Sequence, residues 1–363
     1  MRYCALLEVL VNTRNKRNNQ KNNSVDKLFK KVKVFNTEEM QKRKDTAPNK
    51  SNVYQNMERY LNYLGGTKGE LALVSINCSI LDGLMQLAFS FPNFKSVIDF
   101  YIKQLALQLL SPNVAFSAEP VLIIGGPGIG KTAFTHALSR VIQTPCEIIS
   151  LSTATSGFIL AGSSPAWAEG RPGKIIEKLA RNKIANPLIM LDELDKVGGD
   201  NRYDPIGSLY QLLEKETAKT FVDEGLEIAT DCSHIVWMAT ANQEDLIPEP
   251  ILSRFTVFNV RTPTKDEMKK VVNSIYNNVV KENDWGAFFD IEISPCAVDN
   301  IIDGEVTPRR IQQVIKEACA QIALEHMYIN KKQLPRTRQF KLKAEHILIE
   351  KVPTKTPMGF MQP

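Results

Sequence analysis

From Pro120 onward the chain alternates short apolar runs with longer stretches in which apolar residues recur every three or four positions. The runs are Val121 to Ile124, Glu147 to Leu151, Leu188 to Leu191, Ile235 to Ala239 and Val257 to Val260. Each is too short for a helix core and rich in residues that pack well on a pleated surface. Strands separated by helices pair in parallel and need cover on both sides, so the pattern predicts an α/β fold: a parallel sheet with helices on both faces. After Thr262-Pro263-Thr264 the strand-like runs stop. Residues 265–330 carry helical spacing, including Arg309 to Met327, and predict a small helical lid domain. Upstream, residues 53–114 read as two or three helices, of which Phe94 to Leu110 places apolar residues at three and four spacing. Ser111-Pro112-Asn113 ends that helix, because proline lacks the N–H that would continue it.

Composition changes the picture mainly at the amino end. Residues 1–52 are rich in Asn and Lys and poor in aromatics, which predicts a largely disordered or loosely helical basic arm. The first fifty residues hold 13 Lys and Arg against 5 Asp and Glu, a net +8, so the remainder carries −3 of the total +5. Such an arm offers a contact for nucleic acid, or is simply a solvated extension. The expected domains are therefore the arm (1–52), a helical segment (53–114), an α/β domain (115–262), the lid (263–330) and a carboxyl-terminal extension (331–363). Six scattered cysteines without a C-x-x-C pair point to reduced thiols, not to zinc or a disulfide framework. No run of eighteen apolar residues occurs, and the start lacks a secretory pattern. The expectation is a soluble cytoplasmic protein with no membrane partner.

The chemistry concentrates in three places. Gly125-Gly126-Pro127-Gly128-Ile129-Gly130-Lys131-Thr132 follows the first apolar run, and Ala133 continues into a helix. A strand, a glycine-rich turn and a helix start form a phosphate cradle in which backbone N–H groups and the helix dipole face an anion. Lys131 would reach the β and γ phosphates and the Thr132 hydroxyl would ligate Mg2+, so a nucleoside triphosphate is the expected ligand. Next, Leu188 to Leu191 ends in Asp192-Glu193. Asp192 would hold the metal through water, and Glu193 would deprotonate the attacking water. Last, Asn242 ends the run Ile235 to Ala241, where it can hold the lytic water or the γ phosphate, or serve as a turn former. Two arginines follow. Arg254, after Pro250-Ile251-Leu252-Ser253, could project into a neighbouring subunit's site, and Arg309, after Thr307-Pro308, offers a second guanidinium in cis.

With these motifs in this order, the chain resembles an AAA+ ATPase of the P-loop NTPase class, and more closely the ATPase module of Lon proteases. The likeness is carried by Pro172-Gly173-Lys174-Ile175-Ile176, Leu191-Asp192-Glu193-Leu194-Asp195-Lys196, Asp204-Pro205, Leu212-Leu213-Glu214, Phe221-Val222-Asp223 and Ala239-Thr240-Ala241-Asn242, over about residues 115–330. It implies a hexameric ring of identical subunits that grips an unfolded polypeptide in its central pore. The gripping aromatic of that family corresponds to Trp167, although Ala168-Glu169-Gly170 departs from the family's aromatic-aliphatic-glycine pattern. Trp167 reads nearly as well as a packing residue, and Tyr203 is a candidate for a second pore loop. The serine–lysine peptidase domain and the large amino-terminal region of Lon are not matched in these residues.

The resemblance implies an ATPase that remodels or unfolds protein substrates, chaperone-like, without intrinsic peptidase activity. Two other classes share the same nucleotide residues. One is a nucleic-acid motor or loader using the basic arm; the other is a nucleotide-switched assembly protein.

Overall fold

The computed structural model describes residues 30–76, 78–110, 115–152, 156–197, 205–304, 306–329 and 337–349. They fall into two compact units. The first holds the described residues up to 88 together with Phe94–Pro127 and Lys131–Arg261; the second holds Phe89–Asn93, Gly128–Gly130 and the described residues from 262.

In the first unit, β1 (Lys31–Lys33), α1 (Thr37–Thr46), α2 (Asn52–Leu64), β2 (Glu70–Ala72), α3 (Cys78–Ser90) and α4 (Lys95–Leu110) precede the main sheet. The sheet strands are β3 (Val121–Ile124), β4 (Cys146–Ser150), β5 (Leu188–Asp192), β8 (Val236–Ala241) and β9 (Thr256–Asn259). Between them lie α5 (Lys131–Ile142), α6 (Ser156–Ala161), α7 (Lys174–Asn182), α8 (Ile206–Leu212), α9 (Lys215–Ala218), the small antiparallel pair β6 (Phe221–Val222) and β7 (Ala229–Thr230), and α10 (Glu249–Leu252).

All five expected strands form, in the order β4-β5-β8-β3-β9, and every pairing is parallel. Covered on both faces, they read as continuous apolar runs, with every residue of β3 and β8 buried. Pairing sets the carboxyl ends side by side: Ile124 opposes Ala241, and Leu191 opposes Ala239. Gly125, Asp192 and Asn242 therefore leave three adjacent strands at one edge, where ligands of open parallel sheets bind.

The basic arm is corrected over residues 30–52. β1 pairs antiparallel with β2, and Val34, Phe35 and Met40 are buried in the same core cluster as sheet residues Leu122, Ile189 and Leu191. Apolar Val32, Val34 and Phe35 lie among exposed Lys31 and Lys33, so a charge count over the window hides a packed strand. Arg43 pairs with Glu227 and Lys44 with Glu58 at 3.0 Å, so cations of the arm are neutralised within the fold. The rest of the arm, residues 1–29, lies outside the described residues. Asn186 ties the upstream segment to the sheet domain: its amide donates to the Val74 and Phe116 carbonyls and its oxygen accepts from the Val74 N–H.

The second unit is built from α11 (Lys265–Glu282), α12 (Pro295–Asp303) and α13 (Pro308–Ile329). Thr264 and Glu267 close a reciprocal capping box at the start of α11, and Ser294 caps α12 with Pro295 in the first turn. Val272, Tyr276, Val298, Ile301, Ile311 and Ile315 meet in its core. Phe340, Leu342 and Ile347 join that core, so residues 337–349 of the expected extension pack with the lid, their alternation supplying its last apolar side. Among the described residues, no helix is long and apolar enough to cross a membrane.

Candidate nucleotide site

The glycine-rich loop leaves β3 and delivers Lys131 to the first position of α5. Gly128 and Gly130 adopt φ of +78° and +102°, conformations that a side chain would strain. Gly126, Pro127, Gly128, Thr132 and Ala133 are exposed, while Ile129 is buried and anchors the loop. Gly125 N–H donates to the Ala241 carbonyl at 3.1 Å, continuing the β3–β8 ladder into the loop.

Lys131 is the centre of the polar network. Its Nζ donates to the Gly125 carbonyl at 2.5 Å, the Gly126 carbonyl at 3.2 Å and Asn242 Oδ1 at 2.8 Å. The lysine predicted to meet phosphate and the strand-end asparagine predicted to sense it are thus in direct contact. Burial pushes the ammonium below its usual pKa, against the opposing pull of Asp192, Asp195 and Glu193. A cation already turned into the loop, with three partners that phosphate oxygens could replace, suits an incoming anion.

Asp192 and Glu193 are both half-buried at the end of β5. Thr240, buried on neighbouring β8, donates its hydroxyl to Asp192 Oδ1 and accepts the Glu193 N–H at 3.3 Å. Glu193 itself sits in the left-handed region at φ +61°, a conformation that costs a non-glycine residue on the order of 1–3 kcal/mol. Thr240 thus orients both carboxylate residues, a role the motif Ala239-Thr240-Ala241-Asn242 contained but that spacing alone does not reveal. Asp195, one turn on, is buried, and neither of its carboxylate oxygens has a hydrogen-bond partner.

A family model described as ATPase family associated with various cellular activities (AAA) matches residues 121–262, the span that holds this network. Lon protease of Lachnoclostridium phytofermentans is 31% identical over 209 residues, covering 56% of this chain and 26% of that protein. Residues 121–262 form an AAA+ module resembling that of Lon. Lon protease of Buchnera aphidicola subsp. Acyrthosiphon pisum is 30% identical over 258 residues, 66% of this chain and 32% of its own length. The peroxisomal Lon protease homolog 2 of Oryza sativa subsp. indica is 34% identical over 171 residues, 47% of this chain and 19% of its own. The chain therefore spans between 19% and 32% of the length of these three relatives. Among solved structures, a closed-state cryo-EM reconstruction of Hsp104 with ATPγS and FITC casein superposes with a TM-score of 0.57 at 12% identity, over 77% of this chain and 52% of that chain. At that identity the likeness concerns the fold.

The remaining expected residues lie elsewhere on the module. Arg254, just after α10, is held in cis: its guanidinium donates to the Pro250 carbonyl at 2.5 Å, pairs with Glu214 at 3.4 Å and lies 5.0 Å from the centre of the Tyr210 ring. Arg309 is exposed in the first turn of α13, two residues after Thr307, whose side chain lies against Gly128. Trp167 is 50% exposed and meets Phe158 edge-on, with ring centres 5.2 Å apart. Tyr203 lies outside the described residues.

The Trp167 loop is more tightly built than its sequence suggests. A side chain at Gly170 would run into the Ser164 carbonyl, and one at Gly173 into the Leu160 carbonyl. Buried Asp223 accepts N–H bonds from Gly173 at 2.8 Å, Gly225 at 2.8 Å and Leu226 at 2.9 Å. Burial nevertheless pushes its carboxyl up to about 7, with those three donors pulling the other way.

Proposed function

We propose that the protein is an ATP-hydrolysing ring ATPase, hexameric, that remodels or unfolds protein substrates. The observation that carries this reading is the network that joins Lys131 to Asn242 and Thr240 to Asp192 and Glu193 at the ends of three adjacent strands. A cation, an amide suited to holding water and two carboxylates gathered at one sheet edge beside the glycine loop support a reading in which they face the terminal phosphate of a bound triphosphate. In this reading Gly125, Gly126, Pro127, Gly128, Ile129, Gly130 and Ala133 supply the cradle. Lys131 binds the β and γ phosphates, and Glu193 takes the proton of the attacking water.

Thr132, exposed at the start of α5, and Asp192, oriented by Thr240, fit the hydroxyl-plus-carboxylate donor set of a magnesium site. The ion, when bound, neutralises charge building on the phosphates. Arg254 of one subunit completes the site of the next, exchanging Glu214 for the phosphoryl group, and Arg309 supplies a cation in cis. Turnover in adjacent subunits would drive the Trp167 loops along a polypeptide; half exposure of that indole on a tied-down loop supports gripping over packing.

The test is affinity capture with Glu193→Gln in the presence of ATP, which should hold polypeptide in the ring. Recovery of nucleic acid instead, or of nothing, overturns the reading of the substrate.

A further inference from the structure

The loop that carries Trp167 is held from outside the family-matched span. Asn52, in the first turn of α2, donates its side-chain amide to the Trp167 carbonyl at 2.6 Å and to the Pro165 carbonyl at 3.1 Å. One turn further, buried Asn56 donates to the Gly170 carbonyl at 3.2 Å and the Gly225 carbonyl at 3.4 Å. Residues four apart lie on one helix face, so a single face of α2 grips both the tip and the base of the loop. The second Asn56 acceptor belongs to the Asp223 turn, which also binds the Gly173 N–H at the loop's far end. Within the loop, Trp167 N–H donates to the Ser164 carbonyl and Gly170 N–H to the Trp167 carbonyl, both at 3.0 Å. The indole is therefore an exposed apolar group on a backbone fixed at every turn, an arrangement suited to presenting a side chain and unnecessary for merely packing one.

We propose that Asn52 and Asn56 are positioning residues for the Trp167 loop, so that the upstream helix α2 sets how firmly the module engages an unfolded polypeptide. This rests on the reading of Trp167 as the gripping residue. The amide donor, not the bulk of the side chain, does the positioning, because among the described residues the Asn52 side chain reaches the loop through N–H bonds to the Pro165, Trp167 and Ala168 carbonyls. Asn52→Asp keeps the shape but turns a carboxylate toward those carbonyls, whereas Asn52→Ala removes the contact alone.

The experiment uses the full chain, with hydrogen exchange followed by mass spectrometry over residues 163–173 and capture of fluorescein-labelled casein by anisotropy in a Glu193→Gln background with ATP. Asn52→Ala should speed exchange of the Trp167 and Gly170 amides about fivefold, the worth of one net hydrogen bond. It should weaken casein capture by a similar factor, and Asn52→Asp should do both more strongly. Unchanged exchange in the alanine variant, or an aspartate variant milder than alanine, overturns the clamp. Faster exchange with unaltered capture, while Trp167→Ala abolishes capture, also overturns it. If Trp167→Ala captures casein normally, the gripping role falls first and the proposal with it.

Discussion

Replacing Asp223 by Asn tests the most heavily bonded turn of the module. The carboxylate accepts three backbone N–H groups, two on Oδ1 and the Gly173 N–H on Oδ2, and is buried. An asparagine that keeps its oxygen toward Gly225 and Leu226 must turn its NH2 toward Gly173, setting donor against donor at the N-cap of α7. An unsatisfied buried donor costs about 1–3 kcal/mol, so a loss of about 2 kcal/mol is expected.

The pH dependence has a definite sign. With its native pKa raised to about 7 from 3.8, Asp223 contributes stability that is fully present below pH 3.8. From there to about pH 7 the unfolded chain has released the proton that the native turn still binds, and the contribution falls by about 1.4 kcal/mol per pH unit. The variant lacks this titration, so its deficit of about 2 kcal/mol at pH 5 should shrink by about 1.4 kcal/mol per pH unit and close between about pH 6 and pH 7. Urea denaturation of both chains at pH 5, 6, 7 and 8 measures this directly. Equal midpoints at pH 5 would refute the hydrogen-bond argument, and a deficit that grows with pH would refute the burial argument.

Further outcomes are expected at the nucleotide site. Glu193→Gln should leave nucleotide affinity unchanged, as read by a fluorescent analogue, while lowering phosphate release by at least about 100-fold. Thr240→Ala removes the contact that orients both carboxylate residues; turnover should fall about tenfold, with a stability loss of about 1–2 kcal/mol by thermal denaturation. Arg254→Ala should cut turnover by about 1,000-fold at protein concentrations where copies associate, yet leave nucleotide binding to dilute protein intact. A residual rate that does not depend on protein concentration in either chain would count against its action in trans.

Much of the fold is legible because parallel strands buried on both faces leave apolar runs that composition cannot disguise. The glycine loop, Asp192-Glu193 and Asn242 were each readable from their position at a strand end, and the structure brings Lys131 and Asn242 into contact. What stayed hidden depends on partners distant in sequence. Thr240 looks like any strand threonine until Asp192 stands beside it. Asn52 and Asn56 look like solvated helix residues until the loop more than a hundred positions away closes on them. Lys31 to Phe35 was masked by its own lysines, since a two-residue alternation vanishes when charge is averaged over fifty residues. Phe340, Leu342 and Ile347 follow the expected lid boundary but share its core, because helical periodicity marks where helices end and not where a core closes.

The burial of Phe35, Met40 and Leu71 beside Leu122 and Ile189 has a practical consequence for anyone dividing this chain. A fragment trimmed to residues 121–262 would keep the glycine loop, Asp192, Glu193 and Asn242 and lose one wall of its interior. Such a piece should be sticky and poorly soluble even with an intact phosphate loop, and a cut that keeps this wall must lie upstream of the strand Lys31–Lys33.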